Sequence, residues 1–312
     1  MIVEFSHLSV MPNECIEGLN IKPDGVYVDA TTGGGGHSLL IAERLTTGHL
    51  YCFDRDDDAL KAAGERLSAH KDKITFIKSN FAYMKDKLLE IGVTGVDGIL
   101  FDLGVSSYQL DNAERGFSYM ADAPLDMRMD KTQAKSAYEV VNTYPVEELT
   151  RIFFEYGEER YSKRIAENIV RHREDKNIET TLELVDIIKQ AMPAAAKKEK
   201  QHPAKRVFQA IRIEVNDELS SVEEAVKHGI EILNPEGRIA IMSFHSLEDR
   251  IVKLKFQEEA NPCTCPKSFP VCVCGKVPTV KVITKKVVTA CKEEVEENPR
   301  ARSAKLRVAE KL

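Results

Sequence analysis

The stretch VYVDATTGGGGHSLLIA, residues 26–42, decides the fold of this 312-residue chain. A short apolar run at residues 26–28 leads into four glycines, and an apolar helical pattern follows from Ser38. Glycine permits a left-handed backbone and lets a ligand come close to the main chain. The first turn of a helix offers free N–H groups to such a ligand. The stretch therefore predicts a strand, a ligand-binding turn and a helix, in that order.

The same alternation continues over the first hundred residues. Further strands are predicted at residues 49–53, 74–77 and 96–101, with helical patterns between them. Strands that alternate with helices at this spacing are typical of βαβ units and a parallel sheet. The strand pattern returns only at residues 238–244.

The intervening sequence has a different character. Residues 111–135 are typical of a loop, a capping box opens a helix at residues 180–183, and one helix is predicted from Val215 to Leu233. We therefore predict an α/β fold with a mostly parallel, Rossmann-like sheet. Its domain is formed by residues 1–110 and 215–312 and is interrupted by an inserted helical domain at 111–214.

Composition narrows the class of protein. The hydrophobic fraction is 43% and the charged fraction is 30%, as in ordinary soluble domains. Transmembrane helices need about 18 consecutive apolar residues, and the sequence has no such run. The first residues do not resemble a secretory signal, so we expect the seven cysteines to be reduced and the protein to be cytoplasmic, away from any membrane.

The second predicted strand ends at Asp54, and a carboxylate there can accept hydrogen bonds from both hydroxyls of a ribose. The glycines at 33–36 do not fit the dinucleotide pattern G-x-G-x-x-G, and no lysine follows them as in a phosphate loop. S-adenosylmethionine, which has a ribose but no phosphate, is the favoured ligand. A nicotinamide or flavin cofactor and a glycine turn without a ligand remain the less favoured alternatives.

Two other predicted strands end on candidate ligand-binding residues. Phe81 follows the third strand, where its ring could stack on adenine or simply pack in the core. Asp102 follows the apolar run VDGILF of the fourth strand. In open parallel sheets, ligands bind beyond the carboxyl ends of the strands, so we expect these residues to share one crevice with Asp54.

Basic segments interrupt a chain whose net charge is −6. The segment at residues 197–212 has six basic residues and one acid, residues 276–292 contain five lysines and no acid, and the last fifteen residues are also basic. Such runs often do no more than solvate a surface. Together they make a phosphate-bearing partner more plausible.

Four cysteines lie close together in the sequence, as Cys263-x-Cys265 and Cys272-x-Cys274. Their number suits a metal site, but the spacing is C-x-C rather than C-x₂-C, and the prolines at 262, 266 and 270 indicate a loop. The sequence therefore leaves both structural zinc and unliganded thiols open.

Longer motifs make a resemblance specific. The chain resembles the ribosomal RNA small-subunit methyltransferase H (RsmH/MraW) family. The matching stretches run in order along most of the chain and include GGGGHS at 33–38, FDLGVSSYQLD at 101–111, HPAKRVFQAIRIEVNDEL at 202–219, GRIAIMSFHSLEDRIVK at 237–253 and ENPRARSAKLRVAE at 297–310. The resemblance implies a class I S-adenosylmethionine-dependent methyltransferase acting on 16S rRNA of the small ribosomal subunit. It further implies transfer to the exocyclic N4 amine of a cytidine in the decoding centre, with no required metal.

By the same resemblance, cofactor contacts are expected along the glycine turn and at the strand ends. The expected residues are Gly34, Gly35, Gly36, His37, Asp54, Phe81, Asp102 and Gln109. Many amino-methyltransferases hold the acceptor amine with an Asp/Asn-Pro-Pro-aromatic motif, but this chain has DLGV at 102–105 instead. Our candidates for contact with the amine are Asp102, Ser106, Ser107 and His245, the last being more often a structural residue.

For the RNA we expect the inserted domain to supply the contacts, through Lys197, Lys198, Lys205, Arg206 and Arg212. The alternative function is a non-catalytic RNA-binding protein built on a methyltransferase-like fold. An intact glycine turn and Asp54 count against that alternative, since binding alone needs no cofactor pocket. Whether the chain acts alone or as a homodimer is left open by the sequence.

Overall fold

The computed structural model describes residues 9–193, 201–266 and 268–312, with the backbone alone at Ser107. The chain divides into two compact units, one formed by Met1–Gly104 with Leu219–Leu312 and the other by Val105–Glu218. The first unit is therefore discontinuous in sequence. The boundaries of the units fall at 104/105 and 218/219, whereas the sequence predicts domain boundaries at 110/111 and 214/215.

A single sheet dominates the described part of the first unit. Its seven strands are β1 (Val26–Asp29), β2 (His49–Asp54), β3 (Ile74–Lys78), β4 (Val96–Asp102), β5 (Leu233–Ser243), β6 (Val280–Val282) and β7 (Lys305–Lys311). They lie in the order β3-β2-β1-β4-β5-β7-β6. Strands β1 to β5 are parallel, whereas β7 is antiparallel to both of its neighbours. The prediction of a mostly parallel sheet is confirmed.

Helices make up most of the rest of both units. They are α1 (Pro12–Leu19), α2 (Gly36–Ala42), α3 (Asp57–Arg66), α4 (Met84–Glu90), α5 (Ser107–Asp111), α6 (Ala137–Thr143), α7 (Val146–Glu155), α8 (Ser162–Asp175), α9 (Thr181–Ala191), α10 (Lys205–Asn216), α11 (Glu218–Ile232), α12 (Ser246–Ala260) and α13 (Lys292–Glu297). Among the described residues, no helix is both long and apolar enough to cross a bilayer.

Both faces of the sheet are covered because successive strand residues point to opposite sides. On one face, Val28 and Ile99 join a buried cluster with Met84 of α4. On the other, Leu100 packs in a second cluster with Leu19 of α1. This two-sided burial explains why the central strands are continuously apolar, as expected for a parallel sheet enclosed by helices.

The second unit has its own helical core. Phe153 of α7, Ile165 of α8, Leu184 of α9 and Ile211 of α10 are fully buried together. The predicted capping box at residues 180–183 is confirmed, since the Thr180 and Glu183 side chains each bond the other's backbone N–H. Such reciprocal capping satisfies N–H groups that have no partner inside the helix.

The prediction of one helix from Val215 to Leu233 is wrong. The backbone at Asp217 is left-handed, with φ of 51°, and separates α10 from α11. Val215 therefore belongs to α10, and Val222 to α11. The apolar spacing continues in phase across the break, so periodicity could not reveal it.

The elements of the first unit that were not predicted include α1, α12, α13, β6 and β7. In β7, Leu306 and Val308 are buried, while Lys305 and Arg307 alternate with them and remain less buried. This alternation of period two is a strand signal. The basic residues concealed it, because they favoured the interpretation of a charged terminal segment.

Candidate active site

The glycine turn is fixed by a buried carboxylate at the end of β1. Asp29 accepts a hydrogen bond of 2.6 Å from the Ser38 hydroxyl of α2 and one of 3.2 Å from the Thr31 N–H. Its burial raises its pKa above the ordinary value. These bonds tie the strand, the turn and the helix into one preformed structure.

Two glycines of the turn are required by what surrounds them. Gly35 adopts a left-handed backbone with φ of 77°, and a Cβ there would lie 3.2 Å from Ala63 of α3. At Gly36 a Cβ would collide with the Ser9 hydroxyl. Any side chain at Gly36 would therefore have to displace the segment that precedes α1.

His37 connects the turn to the end of β4. Its Nε2 lies 2.9 Å from the Val10 carbonyl, and its Nδ1 lies 3.6 Å from the Asp102 carboxyl. A carbonyl oxygen can only accept, so Nε2 carries the hydrogen of this bond. The Nδ1 atom is therefore the one that faces the Asp102 carboxyl.

Asp54 closes β2 beside the turn. Its two carboxyl oxygens accept hydrogen bonds of 2.8 Å from the Gly33 N–H and 2.9 Å from the Asp56 N–H. Burial raises the pKa of Asp54 to about 6, although these N–H groups favour the charged form. Each carboxylate oxygen has a second lone pair, which suits an incoming hydroxyl.

Asp102 closes β4 and has a similar character. Its backbone N–H donates to the Thr31 hydroxyl at 2.6 Å, which joins β4 to the turn. Burial raises the pKa of Asp102 to about 6, the His37 ring opposes that shift, and the charges of Asp29 and Glu248 add to it. Three acids with raised pKa values thus lie at one edge of the sheet, an environment that favours a cationic ligand.

Phe81 follows β3 at the same edge. Its ring is 9% exposed, packs edge-on against Phe101 with centroids 5.7 Å apart, and has the Arg55 guanidinium 5.8 Å from its centroid. The ring therefore contributes to the core, and stacking on a ligand remains a prediction.

Comparison with known proteins identifies the family. The profile of the MraW methylase family matches residues 4–312. The chain belongs to this family. It is 56% identical over 311 residues to the ribosomal RNA small subunit methyltransferase H of Brevibacillus brevis, covering 99% of each chain. The proteins of the same name are 57% identical over 310 residues in Carboxydothermus hydrogenoformans, with 99% of each chain covered, and 56% over 311 residues in Clostridioides difficile, with 99% of this chain and all of that one covered.

In this methylase His245, one of the residues predicted to contact the acceptor amine, caps the start of a helix. It precedes α12, where its Nδ1 accepts from the Glu248 N–H at 3.5 Å. The Glu248 carboxylate in turn accepts from the N–H groups of Phe244 and His245. His245 thus forms half of an unusual capping box, and its Nε2 lies 3.1 Å from Glu248 without the alignment of a hydrogen bond.

Four other residues that were predicted to contact cofactor, amine or RNA lie in the second unit. Ser106 and Gln109 form a capping box at the start of α5, with bonds of 3.0 Å and 3.2 Å between them. The side chain of Ser107 lies outside the described atoms. Arg212 donates two hydrogen bonds, of 2.7 Å and 2.8 Å, to Glu218. Contacts of these residues with cofactor, amine or RNA remain predictions.

The other basic residues predicted to bind RNA are only partly described. Lys197 and Lys198 lie outside the described residues, and Lys205 begins α10. Arg206 lines a cleft of the second unit together with Arg160, Tyr161 and His202. His202 also stacks on the Tyr119 ring, with centroids 4.7 Å apart.

The structure brings together the four cysteines of the loop between α12 and β6. The sulfurs of Cys263, Cys265, Cys272 and Cys274 all lie within 4.8 Å of one another. Backbone groups of Lys276 and Thr264 lower the pKa of the Cys274 thiol to about 6. The sequence indicated this cluster of cysteines but left open whether it binds zinc or remains as free thiols.

Sequence reasoning missed the residues that support the site from behind. Asp29 holds the turn, Thr31 ties it to Asp102, and Ser9 and Val10 contact Gly36 and His37. Asp29 lies at a strand end, which is a usable signal. Nothing in the local pattern indicates that residues 9 and 10 return to the glycine turn.

Proposed function

We propose that this chain transfers a methyl group from S-adenosylmethionine to the exocyclic N4 amine of C1402 in 16S rRNA of the small ribosomal subunit. The activity named by relatives that are 56–57% identical over almost the whole chain supports this proposal. In the structure, the strongest support is the set of three acids with raised pKa values beside the glycine turn, Asp29 buried and Asp54 and Asp102 half-buried. A purely RNA-binding protein would have no use for them.

The residues present fit S-adenosylmethionine. Asp54 has lone pairs that can accept from ribose hydroxyls. Burial disfavours the ionised forms of Asp54 and Asp102 and raises both pKa values to about 6. A ligand with positive charge or hydrogen-bond donors would stabilise these ionised forms. When bound, S-adenosylmethionine supplies a methyl group already activated by a positively charged sulfur. Asp54 and the turn at Gly34–Gly36 would hold it, and His37 would keep the turn in place through its contacts with Val10 and Asp102.

Asp102 is suited to the acceptor amine. The lone pair of an exocyclic cytosine amine is delocalised into the ring, so the amine becomes nucleophilic when a neighbouring group accepts its N–H bonds. An ionised Asp102 accepts such a bond more strongly than a protonated one, whose remaining acceptor oxygen carries less negative charge. His37 favours the ionised form, because its Nδ1 is 3.6 Å away and the ring lowers the pKa of Asp102 against the effect of burial.

We assign RNA recognition to the second unit. The cleft lined by Arg160, Tyr161, His202 and Arg206 combines cationic and aromatic side chains, a composition that suits nucleotides. Burial and the charge of Lys189 lower the pKa of His202, which favours the uncharged ring, and that ring already stacks on Tyr119. Lys197, Lys198 and Lys205 extend the basic character along the sequence.

A charge-removal experiment tests this assignment. Changing Lys197, Lys198 and Lys205 together to Ala should weaken RNA binding and reduce the slope of log affinity against log salt by up to about three. S-adenosylmethionine affinity should not change. The matched control removes Lys163 and Lys176, which already pair with Glu167 and Glu183. If the triple variant binds RNA as the control does, these lysines only solvate the surface.

The activity itself is tested with small ribosomal subunits from cells that lack this protein. Labelled S-adenosylmethionine, the purified chain and the subunits are incubated together, and the label is mapped on the RNA. We expect one labelled cytidine, at C1402 on its N4 atom. Label at another position, or no label at all, would overturn the proposal. We also propose a cytoplasmic location, which the proposed ribosomal substrate supports.

A further inference from the structure

We propose that Cys263, Cys265, Cys272 and Cys274 bind one structural Zn²⁺ ion. This site lies in the loop between α12 and β6 and is independent of the methylation chemistry. Zinc in structural sites is held tetrahedrally by four thiolates or by thiolates with imidazoles. The loop offers four thiols, contributed by two C-x-C pairs.

The separations of the sulfur atoms match such a site. Cys272 lies 3.5 Å from Cys263, 3.9 Å from Cys265 and 3.4 Å from Cys274, measured between sulfurs. Four thiolates at about 2.3 Å from a central zinc are about 3.8 Å apart. A disulfide requires about 2.05 Å, so these contacts are not bonds. In a four-iron cluster each cysteine ligates a different iron, which would hold the sulfurs farther apart.

The backbone also supports thiolates at this position. The Val273 N–H points to the Cys265 sulfur at 3.3 Å. A hydrogen bond from the main chain stabilises negative charge on sulfur, as a zinc ligand requires. Zinc would displace the thiol protons and leave a complex of four thiolates with net negative charge. Lys276, two residues beyond Cys274, opens a segment with five lysines and no acid, so the sequence that follows the loop is cationic.

The loop needs a cross-link because its apolar side chains do not form a core. Phe269, Val271, Val273 and Val277 are 50%, 71%, 71% and 72% exposed. The ends of the loop are joined by a hydrogen bond of 3.0 Å from the Thr279 N–H to the Glu259 carbonyl. Small segments that cannot bury enough apolar surface are commonly held by disulfides or metals. With reduced thiols, zinc can serve that purpose.

The experiment measures zinc in the full-length chain. After incubation with zinc chloride under reducing conditions and desalting, elemental analysis should find one zinc per chain. The double variant Cys272→Ser, Cys274→Ser should lose it. The matched control is Cys291→Ser, an exposed thiol outside the cluster that accepts a hydrogen bond from the Glu294 N–H at the start of α13, as serine also can.

A second measurement uses the wild-type chain and so does not depend on how the variants fold. Trypsin cleavage at Lys276 should be slow with zinc bound and several-fold faster after a chelator is added. Replacing zinc with Co²⁺ should give the absorption bands of a tetrahedral thiolate complex. Zinc content no higher in the wild type than in the double variant, iron with sulfide in place of zinc, or two disulfides under reducing conditions would each overturn the proposal.

Discussion

Asp102 and Asp249 are acids of the same unit with opposite surroundings. Asp249, on α12, accepts hydrogen bonds from Arg307 and Lys305 of β7, and although burial opposes them, these contacts hold its pKa below the ordinary value. Asp102, at the end of β4, has a pKa raised by burial to about 6. Asp249 is paired with basic residues of β7 and stabilises the sheet, whereas the ionised form of Asp102 lowers the stability of the folded chain. Such perturbed acids cluster at functional sites.

The cost at Asp102 can be expressed as pH-dependent stability. Its folded pKa of about 6 exceeds the ordinary value of 3.8, so the folded chain binds more protons between these values. Stability therefore falls as pH rises from about 4 to about 6, by up to about 3 kcal/mol. Asp249 contributes in the opposite sense, with stability present above its ordinary pKa and lost as pH falls further.

The largest expected effect follows from removing the charge at Asp102. Asp102→Asn should slow methyl transfer by about 100-fold or more, because the amide cannot accept as strongly from the amine. The melting temperature near pH 7.5 should stay the same or rise, since the cost of the buried charge disappears. Single-turnover transfer of labelled methyl groups and calorimetry measure the two effects. Normal transfer, or a fall of several degrees, would assign Asp102 a structural role.

The next effect concerns the cofactor. Asp54→Ala should weaken S-adenosylmethionine binding by about 1.5–3 kcal/mol, the value typical of hydrogen bonds to a charged group. Titration calorimetry measures the affinity. Asp57→Ala is the matched control, since Asp57 begins α3 nearby and pairs with Lys78 on the surface. Equal affinities in the two variants would rule out the ribose contact.

A smaller effect, the pH dependence of the rate, distinguishes Asp102 from Asp54. We expect transfer to need the stronger acceptor, the ionised Asp102, so kcat/KM should fall about tenfold per pH unit below about 6 and level off above it. Asp54 has a pKa raised to a similar value, so the variants decide between them. The slope below pH 6 should persist in Asp54→Asn and vanish in Asp102→Asn. The reverse result would transfer the titration to Asp54.

The smallest effect concerns the structural acid. Asp249→Asn should lower the free energy of unfolding at pH 7 by about 1–2 kcal/mol and leave the rate of methyl transfer near that of the wild type. Because the Asp249 pKa is lowered in the folded chain, this difference should shrink as pH falls below about 4. If Asp249→Asn is stable but inactive, Asp249 is needed for methyl transfer, and the contrast drawn between Asp249 and Asp102 is wrong.

The sheet and its glycine turn could be predicted because their signals are local. The alternation of strands and helices, and the acids Asp54 and Asp102 at strand ends, follow from periodicity and from parallel topology. The break at Asp217 could not be predicted, since a left-handed residue leaves the apolar spacing in phase. Contacts between distant segments were also beyond local patterns, including His37 with Val10 and Arg307 with Asp249.

The interrupted first unit has a consequence for folding during synthesis. Strand β4 pairs with β1 and β5, yet residues 103–232 must be made between β4 and β5. At roughly 5–20 residues per second, that delay is on the order of ten seconds. During this interval the side of β4 that later pairs with β5 has no partner strand, and its residues Ile99 and Leu100, fully buried in the finished chain, lie at an apolar sheet edge. The nascent chain is thus exposed to aggregation until β5 emerges, and its sheet is complete only when β7, the last strand, has been made.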